Sequence, residues 1–294
     1  MINPHNIYFY FIFISQIFLV SWYFPRLFLE RMQTVLEKYP ASEYPKLYIK
    51  SQESFQKRRR KFALVNQILL IAGFSLFSAI VMWDYKTTDE ISPMIPWAYF
   101  MLQMMPMLWL EISECKYFKA MREANTSTQK AANIRPRHLF DFISKNILIL
   151  ALAMMLFAFA MVFVKYGLNS GAFENIIIIL ATNVFFGVMI YWNIYGRKQD
   201  PYQANKDRLQ GIKVNVITAV YVSIAVSVFL SVQMLMNIYD AKYLQPSVMS
   251  IYCQLIVWFS TKTRLDGLKL ENIDFSVYKT NHKKQENDQP LGDK

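Results

Sequence analysis

The chain has 294 residues, of which 54% are hydrophobic and 18% are charged, with 32 basic against 21 acidic side chains. This composition is too apolar for one soluble domain, yet it leaves enough charge for sizeable parts to stay in water, so it indicates a multi-pass membrane protein. We attribute the basic excess to membrane topology and therefore expect no nucleic acid as a partner.

The first apolar segment covers residues 7–24, and a polar, basic stretch follows to residue 61. Within that stretch an apolar face recurs at helical spacing, formed by Phe28, Met32, Val35, Leu36 and Tyr39. This pattern predicts an amphipathic helix on the membrane surface, ended by Pro40 and Pro45.

A run of five cations, residues 57–61, stands directly before the second apolar segment, residues 62–83. Each Lys or Arg at the bilayer centre costs about 2.5 to 3.5 kcal/mol, so the run must stay on one side of the membrane. The 22 uncharged residues that follow reach about 33 Å as a helix, enough for a hydrocarbon core of about 30 Å.

Five further apolar segments follow, at residues 95–112, 147–164, 173–195, 214–236 and 248–259. Pro106 inside the third segment predicts a kinked helix. The seventh offers only 12 strongly apolar residues and could be re-entrant. We expect it to span, because the basic tail behind it would otherwise lie on the wrong side of the membrane.

The loops before segments two, four and six and the tail hold 29 of the 32 basic residues, and the other three loops hold one each. This asymmetry predicts an N-terminus outside and a C-terminus in the cytoplasm. We therefore predict an all-α, polytopic membrane bundle of about seven helices in residues 1–260, with three basic cytoplasmic loops and a basic tail in residues 261–294. The bacterial cytoplasmic membrane is the expected location.

Long inner loops alternate with short outer turns, which suggests one helical hairpin used three times and then a half unit. Tryptophans close the odd-numbered segments, at Trp22, Trp109, Trp192 and Trp258. The alternative is the interfacial aromatic belt found in most membrane proteins, which alone explains aromatic residues at these depths.

Small and polar residues recur every four positions along segment six, at Asn215, Ala219, Ser223, Ser227 and Ser231. Such a stripe lets a neighbouring helix approach closely and form hydrogen bonds across the contact. The pattern predicts a packing face within the chain, with self-association or a substrate path as alternatives.

Three side-chain amides share one depth in the inner leaflet, and a fourth lies deeper. Gln16 and Gln103 each lie six residues before a tryptophan of the belt, Gln254 lies four before another, and Asn183 lies deeper. Lipid cannot satisfy an amide, so these side chains are expected to point into the bundle. We interpret them as candidates for an uncharged polar cavity; the alternative is a set of interhelical hydrogen bonds.

No pattern predicts catalysis, a metal or a cofactor. His138 and Asp141 could act as base and orienter, but an isolated pair in a basic loop is typical of a solvated surface. The methionines around Pro106, at 101, 104, 105 and 107, fit an apolar filler better than a copper site. Cys115 and Cys253 lie in settings too different for a disulfide, so both are expected to be reduced.

The sequence therefore predicts a non-enzymatic membrane protein that interacts with lipid or with a protein partner, which includes a second copy of itself. Its basic face is expected to meet anionic headgroups. The alternative is a transporter or permease for an uncharged or lipid-like solute, which Pro106 and the intramembrane amides would support.

Overall fold

The computed structural model describes residues 6–87, 90–125, 137–196 and 200–279, and within these ranges the chain is helical, without a strand. Each apolar segment lies in one long helix. The helices are α1 (Asn6–Lys38), α2 (Gln52–Lys86), α3 (Met94–Ala124), α4 (Lys145–Tyr166), α5 (Ser170–Gly196), α6 (Asn205–Ile238) and α7 (Gln245–Gly267).

Five of these helices, all except α3 and α7, are long and apolar enough to cross a membrane. Their apolar side chains face outward as well as inward: Ile149, Val164, Val184 and Phe185 are each more than half exposed. A soluble protein rarely exposes so much apolar surface. The predicted all-helical class is confirmed, with five candidate membrane spans.

The helices form two lobes. The first lobe contains α1, α2, α3 and α7, and the second contains α4, α5 and α6. Helix α7 joins them, because it packs against α1 and α3 on one side and against α6 on the other. The repeated hairpin predicted from the sequence does not describe this packing, since α3 and α4, its second pair, belong to different lobes.

The low apolar content of segment seven follows from the central place of α7. This single 23-residue helix begins at Gln245, whose amide donates to Asn237 Oδ1 near the end of α6. It reaches Arg264, which pairs with Glu111 of α3. Its small side chains are buried against protein, while Ile251, Leu255 and Trp258 stay exposed on the remaining face. The buried small residues are Ser247, Ser250, Cys253 and Thr261.

Successive helices run in opposite directions, so their ends gather in two layers. At one layer Asn6 of α1 donates to Asp84 of α2 (2.8 Å). At the other layer the Arg31 guanidinium of α1 donates to the carbonyl of Leu268, just after α7. The second layer contains the run of cations at residues 57–61, and we call it the basic end.

Several helices extend past a membrane's thickness at the basic end. Helix α2, with 35 residues, is about 52 Å long, against a hydrocarbon core of about 30 Å. The overhanging turns and loops enclose a cluster of mostly aromatic side chains, which we call the cap: Tyr39, Tyr44, Leu47, Tyr117, Phe118, Met121, Tyr202, Phe275 and Tyr278. The tail is thus packed on the bundle as far as Tyr278.

Helix α1 continues through Pro25, so the predicted first segment and the predicted amphipathic helix behind it form one helix. Proline lacks an N–H, and its ring clashes with the carbonyl four residues earlier. A π-helical turn at Leu19–Tyr23 widens the helix just before Pro25 and accommodates it. The predicted apolar face, from Phe28 to Leu36, therefore extends from α1 at the basic end and lines a pocket instead of lying on lipid.

Three helices of the first lobe, α1, α2 and α3, approach one another closely at Gly73 of α2. A Cβ added there would overlap the Tyr99 hydroxyl of α3 and approach Ile17 Cγ2 of α1 to 2.8 Å. Only glycine allows three helices to meet at this point.

Candidate functional site

Gln16 and Gln103, which the sequence placed at one depth, meet in a buried network between α1, α3 and α7. Gln16 Nε2 donates to Gln103 Oε1 (3.1 Å) and to the Pro96 carbonyl (3.2 Å). Gln16 Oε1 accepts from the Ser250 hydroxyl (2.6 Å), and Gln103 Nε2 donates to Ser21 Oγ (2.8 Å). Neither glutamine side chain reaches solvent or lipid.

Gln254 lies on the same interface between α1 and α7 but binds other partners. Its Nε2 donates to the Ile12 carbonyl (3.0 Å), and its Oε1 accepts from Ser15 Oγ (3.0 Å). The three amides are therefore engaged with protein groups, as expected for interhelical hydrogen bonds. The polar cavity proposed for them stays a prediction that these contacts do not favour.

Asn183, the fourth amide of that prediction, belongs to the second lobe. Its Nδ2 donates to the Ile179 carbonyl of its own helix (2.9 Å), and its Oδ1 accepts from Ser223 Oγ of α6 (2.8 Å). Asn183 thus meets the predicted stripe of α6 and not the glutamines.

The stripe of α6 faces protein inside the chain. Ser223, Ser227 and Ser231 are buried, and the half-buried Asn215 donates to Asn193 Oδ1 of α5 (3.2 Å). Ala219, between them, is also half-buried. Helices α5 and α6 therefore share two polar pairs along one face, Asn193 with Asn215 and Asn183 with Ser223.

A recess lies at the basic end, at the junction of the two lobes, and we call it the basic-end pocket. It has a volume of about 380 Å³. Its membrane-side wall includes Met107 and Leu110 of α3, beside the belt residue Trp109, and Asn215 of α6. Its other end meets the cap at Leu47, Tyr48 and Phe118. The pocket therefore extends from the level of the tryptophan belt into the overhanging layer.

Apolar side chains form much of the lining of this pocket. The predicted amphipathic face of α1 supplies one wall, and α2, α3, α7 and the loops supply the rest. These residues are Phe28, Met32, Val35, Leu36, Leu47, Phe55, Met107, Leu110, Phe118, Leu265 and Leu268. The sequence thus predicted the amphipathic pattern of α1, but not the residues of other helices and loops that face it across the pocket.

Four arginines and two glutamates also line the pocket. Arg264 pairs with Glu111 (2.5 Å), and Arg58 stacks over the Phe55 ring at 4.7 Å. Arg208 Nη2 donates to the Asp200 carbonyl (3.0 Å), while its Nε is buried without a hydrogen-bond partner. Arg31 and Glu114 complete the set. Four positive and two negative groups leave the lining with an excess of two positive charges.

The cap beside the pocket contains buried polar contacts. The Tyr278 hydroxyl donates to Asp200 Oδ2 (2.6 Å), and the Tyr202 N–H donates to Asp200 Oδ1 (2.8 Å). Burial raises the pKa of Asp200, although these hydrogen bonds oppose the shift. Burial also raises the pKa of Tyr48 to about 12, and its hydroxyl donates to the Tyr39 carbonyl (2.7 Å).

The other residues considered for chemistry have structural surroundings. The His138 N–H donates to Asp141 Oδ2 (2.9 Å), and the pair caps a short 3-10 turn. Met104 packs in the first lobe's core, beside the buried and free Cys253; Cys115 is free and exposed. Among the residues described, no group of three or more His, Cys, Asp or Glu side chains could hold a metal ion.

Asp84, which the sequence assigned to an acidic outer turn, is a buried carboxylate. The structure places it inside α2 with 1% of its surface exposed, where it accepts from Asn6 Nδ2 and from the Tyr10 hydroxyl. These bonds tie the start of α1 to the end of α2. The one sequence feature that indicates burial of Asp84 is its position directly after the apolar segment at residues 62–83.

Comparison with known proteins gives no relative for this chain: no family model, curated protein or solved structure matches it.

Proposed function

We propose that this chain is a seven-span membrane protein, with its N-terminus outside and its basic end in the cytoplasm, that interacts with anionic lipid headgroups and a protein partner without catalysing a reaction. The bacterial cytoplasmic membrane is the location that we infer for it. The 29 to 3 division of basic residues between the two sides is the basis for this orientation.

The observation that carries the proposal is a repeated pairing of cations with belt tryptophans at the basic end. Arg26 lies over Trp22 at 5.4 Å from the ring centroid, and Lys61 lies over Trp109 at the same distance. Lys262 lies over Trp258 at 5.2 Å. Tryptophan rings prefer the headgroup region, so these pairs hold positive charge at the level of lipid phosphates.

The energetic consequence is a preference for anionic membranes. Each exposed Lys or Arg near such a surface contributes about 1 kcal/mol, so the three paired cations together contribute about 3 kcal/mol, or about two orders of magnitude in affinity. The exposed pair between Arg26 and Glu30 weakens this little, because surface ion pairs are worth about 0 to 1 kcal/mol.

Lipid retention tests the proposal directly. The protein is extracted in a neutral detergent from vesicles of phosphatidylcholine and phosphatidylglycerol, and the lipids that stay bound are quantified by mass spectrometry. The test variant replaces with glutamine the three cations paired to tryptophan. We expect the wild type to retain phosphatidylglycerol preferentially, most strongly at low salt, and the variant to lose that preference.

A matched variant replaces with glutamine the three lysines of the opposite loops, Lys86, Lys165 and Lys242. It should keep the wild-type preference. Equal retention of phosphatidylglycerol by both variants would contradict the proposal.

The orientation has its own test with reporters that work only in the cytoplasm. Fusions after Lys294 or near Ser127 should be active, and an insertion near Thr88 should be inactive; all three positions lie outside the described residues. An active reporter at Thr88 would overturn the orientation.

A further inference from the structure

We propose that the basic-end pocket is a binding site for one single-chain amphiphile with an anionic headgroup, a carboxylate or a phosphate monoester. This goes beyond the proposed function, in which headgroups meet only the outer surface of the bundle. Here a whole molecule enters the junction of the two lobes.

The size and walls of the pocket favour a single hydrocarbon chain. Its volume of about 380 Å³ lies near the lower end of the range of about 300 to 1,000 Å³ that is typical of small-molecule sites. A phospholipid with two acyl chains is too large to enter completely. The apolar face of α1 at Phe28, Met32 and Val35 offers a surface for a chain.

The arginines favour an anionic headgroup. Arg31, Arg58, Arg208 and Arg264 come from four different helices and line one recess. Arg264 already offsets the charge of Glu111, so the lining stays positive even with both glutamates counted. Guanidinium groups bind carboxylate and phosphate oxygens through paired N–H donors.

Arg208 supplies the sharpest evidence for a missing acceptor. Its Nη2 is bound to the Asp200 carbonyl, which leaves its buried Nε–H without a partner. Buried donors are nearly always satisfied, because an unpaired one is costly. Because Arg208 lines the pocket, we expect a bound anion to draw its guanidinium toward the recess and satisfy this donor.

The position of the pocket fits the orientation of an amphiphile in a membrane. Its deep wall at Met107 and Leu110 adjoins Trp109, at the level of the belt, while Tyr48 and Gln203 lie toward the cap. A chain can therefore enter from the inner leaflet while its headgroup stays beside the arginines in the aqueous layer.

Gly211 of α6 allows the pocket to be filled without disturbing its walls. This residue lines the pocket, and a Cβ built on it would have no neighbouring heavy atom within 4 Å. Gly211→Leu should therefore occupy the ligand's space, and it replaces a helix-interior glycine with a better helix former. Gly187→Leu on the exposed face of α5 is the matched control, because its Cβ also meets nothing within 4 Å.

The test is a titration of the full chain in a neutral maltoside detergent, followed by native mass spectrometry. The probes are lysophosphatidic acid, lysophosphatidylcholine with the same chain, and glycerol phosphate without a chain. We expect the wild type and Gly187→Leu to bind one lysophosphatidic acid, about tenfold more tightly than lysophosphatidylcholine, with no binding of glycerol phosphate. Gly211→Leu should lose this binding at an unchanged melting temperature.

Arg208→Gln gives a second, independent readout, should Gly211→Leu prove unstable. It removes the unpaired donor and should weaken lysophosphatidic acid binding about tenfold while leaving lysophosphatidylcholine binding unchanged. Full binding by a folded Gly211→Leu protein, or equal binding of the two lysolipids, would overturn the proposal. Gly211→Leu should still retain phosphatidylglycerol at its outer surface, so failure of the pocket is distinguishable from failure of the surface interaction.

Discussion

Replacing Gln16 with leucine should destabilise the first lobe. The side chain of Gln16 makes three interhelical hydrogen bonds, two donated to Gln103 and Pro96 and one accepted from Ser250. Leucine can make none of them, and it leaves the Gln103 side-chain oxygen buried without this donor.

The magnitude follows from the number of bonds. Interhelical hydrogen bonds in membrane proteins average about 0.6 kcal/mol and reach about 1.7 kcal/mol, so three of them give about 2 kcal/mol. For a large chain each kcal/mol lowers the melting temperature by about 2 to 4 °C, so we expect Gln16→Leu to lower it by about 4 °C or more.

Thermal unfolding in one detergent, followed by loss of monodisperse protein, measures this effect. Gln67→Leu is the matched control, because Gln67 is exposed on α2 and lies six residues after the run of cations at residues 57–61. Its substitution should leave the melting temperature unchanged or raise it. The double variant Gln16→Leu/Gln103→Leu should lose less stability than the two single changes together, because the two amides share a bond.

Equal melting temperatures for Gln16→Leu and Gln67→Leu would refute this reasoning. If the Gln16 variant then lost binding of an uncharged solute, the polar cavity and the transporter alternative would regain their support.

Three further outcomes follow from the packing and the titrating groups. Gly73→Ala should cost about 1 to 3 kcal/mol through overpacking, while Gly187→Ala on the lipid-facing side of α5 should not destabilise, as compared by melting temperature. Ser227→Leu on the buried stripe should cost a similar amount, and Val228→Leu beside it should be milder; equal melting temperatures would remove the stripe as a packing face. Folding raises the pKa of Tyr48 from its ordinary value of 10 to about 12. The contribution of this shift to stability is therefore complete below pH 10 and should disappear as the pH rises to about 12. Denaturation at several pH values measures this loss, which should be absent from Tyr48→Phe.

The sequence predicted the helices well because each is recorded in a continuous apolar run. Predictions that depended on one local rule were less secure. The first apolar segment and the amphipathic face behind it were predicted as separate helices, but a π turn that ends two residues before Pro25 keeps α1 continuous. Segment seven has few apolar residues, yet α7 forms a 23-residue helix because much of its surface packs against α1, α3 and α6.

The candidate site was harder to predict for a physical reason. The depth of a residue in the membrane follows from counting residues along the helix, but the direction of its side chain depends on how the helix is rotated about its axis, which the count does not give. Counting placed Gln16 and Gln103 together correctly. The candidate cavity also included Asn183, which the count placed deeper, although its side chain faces Ser223 in the other lobe. The basic-end pocket combines residues from five helices and the loops between them, and no local pattern records that convergence.

The central place of α7 has a consequence for how the protein is made. A ribosome delivers α1 before α7, so Gln16 and Gln254 are separated by more than two hundred residues of synthesis, although both belong to the same interface. Until α7 emerges, the amide oxygen of Gln16 has no Ser250 hydroxyl to accept from. The first lobe is thus completed only when α7, the last of its four helices, has been synthesised. Until then the polar side chains that bond to α7 must find other partners, among the early helices or in the insertion machinery.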